Sequence, residues 1–184
     1  MADRPRLSLV EGGQGPREIA IGGRTVVVAP EDQPPFSVEA IVEEEDRHLV
    51  LSAPPIVPEK KDHPIRVMTD LWNDAPRALG SVIARGRDPI RLLAVVHDLD
   101  RDPSVEIGSI ERALDATFDA LAKLGVRSLK LPLLGAVHRA IDPKTSASCI
   151  GARLRAHPVG ALERVWIVVL SDTSEVIAAL GADD

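Results

Sequence analysis

Tyrosine is absent from this 184-residue chain, phenylalanine and tryptophan together reach only 2%, and there is one cysteine, Cys149. Aromatic poverty removes the stacking platforms on which single-stranded nucleic acids are held. A formal charge of −6 argues in the same direction, so no nucleic-acid partner is expected. One cysteine excludes an intramolecular disulfide and any Cys-rich zinc site. The five histidines (48, 63, 97, 138 and 157) follow no metal-ligand spacing, so no metal and no cofactor is expected. The acidic run Glu43–Asp46 lacks the alternating oxygen ligands and the glycine of a calcium loop, and reads as a solvated turn. No apolar run is long enough to cross a bilayer, and "MADRPRLSLVEGGQGPREIA" lacks a signal peptide's hydrophobic block. No membrane partner is expected, and the default compartment is the cytoplasm.

What is present suits one globular domain with an aliphatic core: 45% hydrophobic and 27% charged residues. Residues 1–17 are polar and glycine-containing and read as a flexible leader, with 18–184 as a single α/β domain. Glu18–Ala29 reads as two strands joined at Gly22-Gly23, a hairpin signal. Phe36–Ala53 reads as two further strands around an acidic turn near Glu44–Asp46. Pro54–Thr69 carries four prolines and a charge cluster and reads as irregular.

From residue 70 the pattern becomes an alternation of helix and strand. Asp70–Gly86 suggests a helix, re-starting at Pro76. Ile90–Leu99 is a near-continuous aliphatic run, as in a strand buried on both faces. Within Val105–Gly125, Ile110, Leu114, Phe118 and Leu121 recur at helical spacing, with Ser109 as N-cap and Gly125 as the stop. Arg127–Leu134 reads as a strand, Asp142–His157 as a helix with Asp142 at the N-cap and Pro143 at its first position. Arg164–Ser171 is another buried strand and Asp172–Ala182 a closing helix. Right-handed crossovers then predict a three-layer α/β/α domain with a mostly parallel mixed sheet, the N-terminal hairpins adding antiparallel strands at an edge.

Ligands of open α/β sheets gather beyond the carboxyl ends of the strands. Three such junctions stand out: Ala53 onward, His97–Pro103 and Gly135–Ile141. The ordered set "LLAVVHDL", a helix from Ser109 to Leu124, "SLKLPLLG", a helix from Asp142 and "VWIVVLS" resembles the macro domains, a family that binds ADP-ribose. The resemblance covers about residues 89–180. In the first half, "HLVLSA" stands where an Asn-rich phrase and a glycine-rich loop are usual, and neither follows it. "VEAIVEEED" is a second match there, with Glu39 in the place of an adenine-binding Asp.

The resemblance implies a binding module for ADP-ribose or a related nucleotide-type ligand. It would be held by Gly135, Ala136, Val137, His138 and Arg139, with Ser52, Ala53 and His97 at the neighbouring strand ends. The loop holds one glycine, and Arg139 could supply a charge-assisted phosphate contact in place of lost amides. The asparagine of de-ADP-ribosylating members is missing, so no catalytic residue is assigned. The second reading is a non-catalytic macro-like scaffold acting through protein contacts, with its cleft filled. A third is an enzyme using His97, paired with Asp98, or Cys149, paired with His138. Lys60, Lys61 and Arg66 would form a basic lip above the cleft.

Overall fold

The computed structural model describes residues 15–51, 75–158, 160–170 and 173–181. Seven strands form one sheet: β1 (Arg17–Ile21), β2 (Arg24–Pro30), β3 (Ala40–Asp46), β4 (Val82–Arg85), β5 (Ile90–His97), β6 (Ser128–Pro132) and β7 (Arg164–Val169). Their spatial order is β1-β2-β7-β6-β3-β5-β4. The five inner strands run parallel, while β1 pairs antiparallel with β2 and β4 antiparallel with β5. Three helices are described: α1 (Ile107–Leu124), α2 (Pro143–Ala156) and α3 (Thr173–Gly181). This is the predicted mixed, mostly parallel α/β sheet. The expected leader lies almost wholly outside the described residues, and β1 begins at Arg17.

The sheet's alternation explains where the helices sit. Val26, Val28, Val42, Leu92, Ala94, Leu129, Leu131, Val165 and Ile167 share one core with Ile110, Leu114, Phe118 and Leu121 of α1 and Ala147, Ile150 and Leu154 of α2. Full burial of each such leucine or isoleucine contributes about 1.5–3 kcal/mol. On the opposite face Val27, Ala29 and Trp166 pack with Phe36, Val38 and Val168. The predicted hairpin forms at Gly22-Gly23, both at positive φ (54° and 77°). A Cβ on Gly22 would stand 2.3 Å from the Leu154 carbonyl oxygen, so the hairpin tip is pressed onto the end of α2. Arg24 reinforces this docking by donating to the Leu154 carbonyl at 2.7 Å and to those of His157 and Pro158.

Four sequence expectations are corrected. Over the described part of Phe36–Ala53, residues 36–51, there is one strand instead of two: β3 is central, and its last residues are the acids assigned to a turn. Residues 47–51 form the turn, with Leu49 at φ 59°. Val82–Arg85 is a strand, not part of a helix, bounded by Gly80 (φ 87°) and Gly86 (φ 70°). Residues 70–74 of that expected helix lie outside the described residues. Helix α1 starts at Ile107, N-capped by Glu106 without a side-chain bond. Ser109 lies inside, its hydroxyl donating to the Glu106 carbonyl at 2.6 Å and facing the Val96 carbonyl at 3.3 Å. Gly125 does stop the helix, at φ 69°. Finally, β2 pairs parallel with β7, so among the described residues antiparallel pairing is confined to β1 at one edge and β4 at the other.

Candidate functional site

A cleft of about 910 Å³ opens at the carboxyl ends of β3, β6 and β7. Its walls come from the end of β3 (Glu43, Glu44), the loop after β6 (Ala136, Val137, His138), the first turn of α2 (Asp142, Lys144) and the start of α3 (Glu175, Val176). The loop is shaped by Gly135, whose φ of 80° begins a tight turn. A Cβ there would meet Ile110 Cδ1 and Ile141 Cγ1 at 2.9 Å. Ala136 N–H donates to the Leu133 carbonyl, Arg139 N–H to Ala136, and the amides of Ala140 and Ile141 both to Gly135. Val137 escapes positive φ, as its β-branch demands; Arg139 takes it instead, at 58°. The amides of Val137 and His138 donate to no acceptor among the described residues.

The acidic run is the part of the site that sequence reasoning placed wrongly. Each of its four carboxylates has a partner. Glu43 takes Arg91 through a bidentate contact, which raises the Arg91 pKa. Glu44 Oε1 accepts the Gly135 N–H at 2.5 Å, and Oε2 lies 2.8 Å from His97 Nε2. Glu45 Oε1 accepts the amides of Leu51 and Asp46 at 2.8 and 3.0 Å. Asp46 accepts those of His48, Val50 and Leu51. Burial pushes the Asp46 carboxyl up, but these backbone donors and Glu45 outweigh it and hold it below the usual range. Charged groups are buried only when satisfied in this way. A run of four acids can therefore end a central strand, provided that partners arrive from β5 and the β6 loop.

His97 ends β5 as expected, but its carboxylate is Glu44, not Asp98. Asp98 instead takes Arg47 at 3.0 Å and Arg101 at 3.4 Å. The His97 ring meets His138 edge-on, with centroids 5.2 Å apart. Glu44, His97 and His138, from three neighbouring strand ends, thus bring one ligating atom each to within 4.8 Å of one another. The linear spacing of the histidines carried no trace of this grouping, because it is made by the strand order β6-β3-β5. Cys149 is not part of the cleft wall. It packs against the core, where burial and the nearby Glu111 push its thiol up to about 11. Glu39 is absent from the wall too, its carboxylate accepting the Arg127 amide at 2.6 Å beside the start of β6.

The electrostatics of the cleft are balanced by internal pairs. Arg91, Lys130 and Lys144 reach its wall, paired with Glu43, Glu31 and Glu175 respectively. Lys130 also sits 5.1 Å from the Trp166 ring centre, a cation–π distance. Asp142 occupies the N-terminus of α2, accepting the amides of Lys144 and Thr145 at 2.9 and 3.1 Å. The Thr145 hydroxyl, followed by these amides, holds its carboxyl below the usual range, so it stays anionic. The helix N-terminus is therefore already occupied by the chain's own anion. Among the predicted ligand-binding residues, Ala136, Val137 and His138 line the cleft, while the buried Gly135 and His97 and the exposed Arg139 are not part of its wall. Ser52, Ala53, Lys60, Lys61 and Arg66 lie outside the described residues.

No protein-family model matches the sequence, and no curated protein does. Solved structures match the fold. The Oceanobacillus iheyensis macrodomain with MES bound aligns at a TM-score of 0.64 and 14% identity, over 90% of this chain and 95% of that one. The same macrodomain with ADP gives 0.61 and 12%, over 90% and 93%. The macrodomain of Thermus aquaticus DarG gives 0.56 and 19%, over 79% of this chain and 98% of that one. The similarity thus extends well beyond the half of the chain whose motifs suggested it. The chain has the macrodomain fold.

Proposed function

We propose that this domain, residues 18–184, is a non-catalytic binding module for ADP-ribose or a related nucleotide-type ligand. The observation that carries the reading is the open cleft of about 910 Å³ bordered by Ala136, Val137 and His138. Its size falls within the roughly 300–1,000 Å³ range of small-molecule sites. The uncommitted amides of Val137 and His138 provide donors for a phosphate, and Ile41, Leu133, Val168 and Val176 provide apolar walls for a base. Among structures of this fold, the Oceanobacillus macrodomain has been solved with ADP and, as a mutant, with ADPR. The Cys149–His138 pairing is not favoured, since burial pushes the Cys149 thiol up to about 11 and the residue does not line the cleft.

The scaffold reading predicted a filled cleft around Gly135, and the open one counts against it. Isothermal titration with ADP-ribose tests the binding reading. Saturable heat is expected, weakened at least tenfold in Val137→Trp, whose indole would occupy the loop side of the cleft. Absence of heat at millimolar ADP-ribose would overturn the reading.

A further inference from the structure

We propose that Glu44, His97 and His138 form a site for one divalent transition-metal ion of the zinc class, in the wall of the cleft. The three residues terminate β3, terminate β5 and sit in the loop after β6. These strands are neighbours in the sheet, so their carboxyl ends converge on one point. One donor atom of each lies within 4.8 Å of the others. A first-row ion bound at about 2.0–2.2 Å from each donor requires donors roughly 3.3–3.6 Å apart, so binding would draw the His138 loop inward by up to about an ångström. Two imidazoles and one carboxylate match the donor preference of zinc; calcium and magnesium would demand more oxygens.

The surroundings are built for a ligand carboxylate. Glu44 Oε1 is fixed by the Gly135 amide, a backbone donor of the kind that orients metal ligands from outside the coordination sphere. That leaves Oε2 facing His97 Nε2, 2.8 Å away. The two side chains are 2% and 1% exposed, and no lysine or arginine pairs with Glu44 among the described residues. Burying a carboxylate against an imidazole carries a desolvation penalty that one shared hydrogen bond offsets only in part. An ion between them would take the place of their hydrogen bond and separate the two atoms by a few tenths of an ångström. His138, exposed on the loop, is the third ligand and the entry point. Because Glu44 and His138 line the cleft while His97 lies behind them, the fourth position would face the cleft. This inference does not rest on the identity of the organic ligand.

The full chain, stripped with a chelator, is titrated with ZnCl2 against a chromophoric competitor and followed by thermal melting. One equivalent is expected to bind and raise the melting temperature. His138→Ala, an exposed change that leaves the core intact, is expected to weaken binding at least tenfold and to abolish the rise. Glu44→Gln, which keeps an acceptor for Gly135, is expected to do likewise. His157→Ala removes the separate His157–Asp115 pair and should bind as the parent does. No binding at micromolar zinc, or equal affinity in the parent and His138→Ala, would overturn the assignment. Neither outcome bears on ADP-ribose heats measured without metal, so the two readings fail separately.

Discussion

Glu44 and Gly135 stand 91 residues apart, yet a 2.5 Å hydrogen bond ties the carboxylate at the end of β3 to the amide that begins the cleft loop. The bond is buried, so removing the acceptor leaves both a peptide donor and His97 without their partner. Glu44→Ala is expected to lower unfolding free energy by at least about 1–3 kcal/mol, the cost of one unsatisfied buried group. Glu44→Gln should cost clearly less. Urea denaturation distinguishes them, and equal losses would mean that the tie contributes little.

Gly135 tests backbone and packing together. An alanine there must hold φ near 80° and place a methyl 2.9 Å from the ends of Ile110 and Ile141. A loss of about 1–3 kcal/mol is expected for a strained, crowded site. Gly125→Ala serves as the comparison, since its φ is 69° but open space surrounds the added methyl. It should cost only the backbone share, roughly 1–2 kcal/mol. If the two variants melt alike, crowding at Gly135 is relieved by side-chain rotation.

Asp46 gives a pH dependence of definite sign. Its carboxyl is held below the ordinary range by the turn's amides against the opposing effect of burial. The stabilisation is complete above the unfolded value of about 3.9 and is lost as pH falls through the lowered native value. Asp46→Asn should therefore reduce stability at pH 7 and flatten the acid limb of the stability profile. An acid limb as steep as the parent's would remove Asp46 from the account.

Cys149 is expected to resist alkylation. With its thiol pushed up to about 11, about one molecule in a thousand carries the thiolate at pH 8. Iodoacetamide labelling should accelerate roughly tenfold per pH unit between pH 8 and 10, following the thiolate. Rapid labelling at pH 7 would contradict the burial and the neighbouring Glu111 that set this value.

The parts of the fold carried by local chemistry were readable in advance. Gly22-Gly23 between β-branched runs announces the hairpin. Asp142-Pro143 announces α2, and the spacing of Ile110, Leu114, Phe118 and Leu121 announces α1. What failed depends on partners distant in sequence. Four consecutive acids look solvated until Arg91, His97 and the Gly135 amide are known to face them. "HLVLSA" has the apolar run of a strand, but Asp46 collects the amides of His48, Val50 and Leu51 into a turn. Strand β4 opens with two β-branched residues, Val82 and Ile83, between Gly80 and Gly86, a strand signature outweighed by the helix-like segment before them. The loop address of the cleft was legible; the grouping of Glu44 with His97 and His138 was not, because only the strand order creates it.

Arg91, Lys130 and Lys144 approach the cleft already engaged with Glu43, Glu31 and Glu175. If the cleft takes an anion through these groups, recruitment would be an exchange, in which an arriving phosphate trades places with a resident carboxylate. Added salt screens the pair that is broken as well as the contact that is made. Affinity should accordingly fall less steeply with ionic strength than in a cleft lined by free lysines. Discrimination among anions would then depend on geometry, since a ligand must match the spacing of the carboxylates that it replaces.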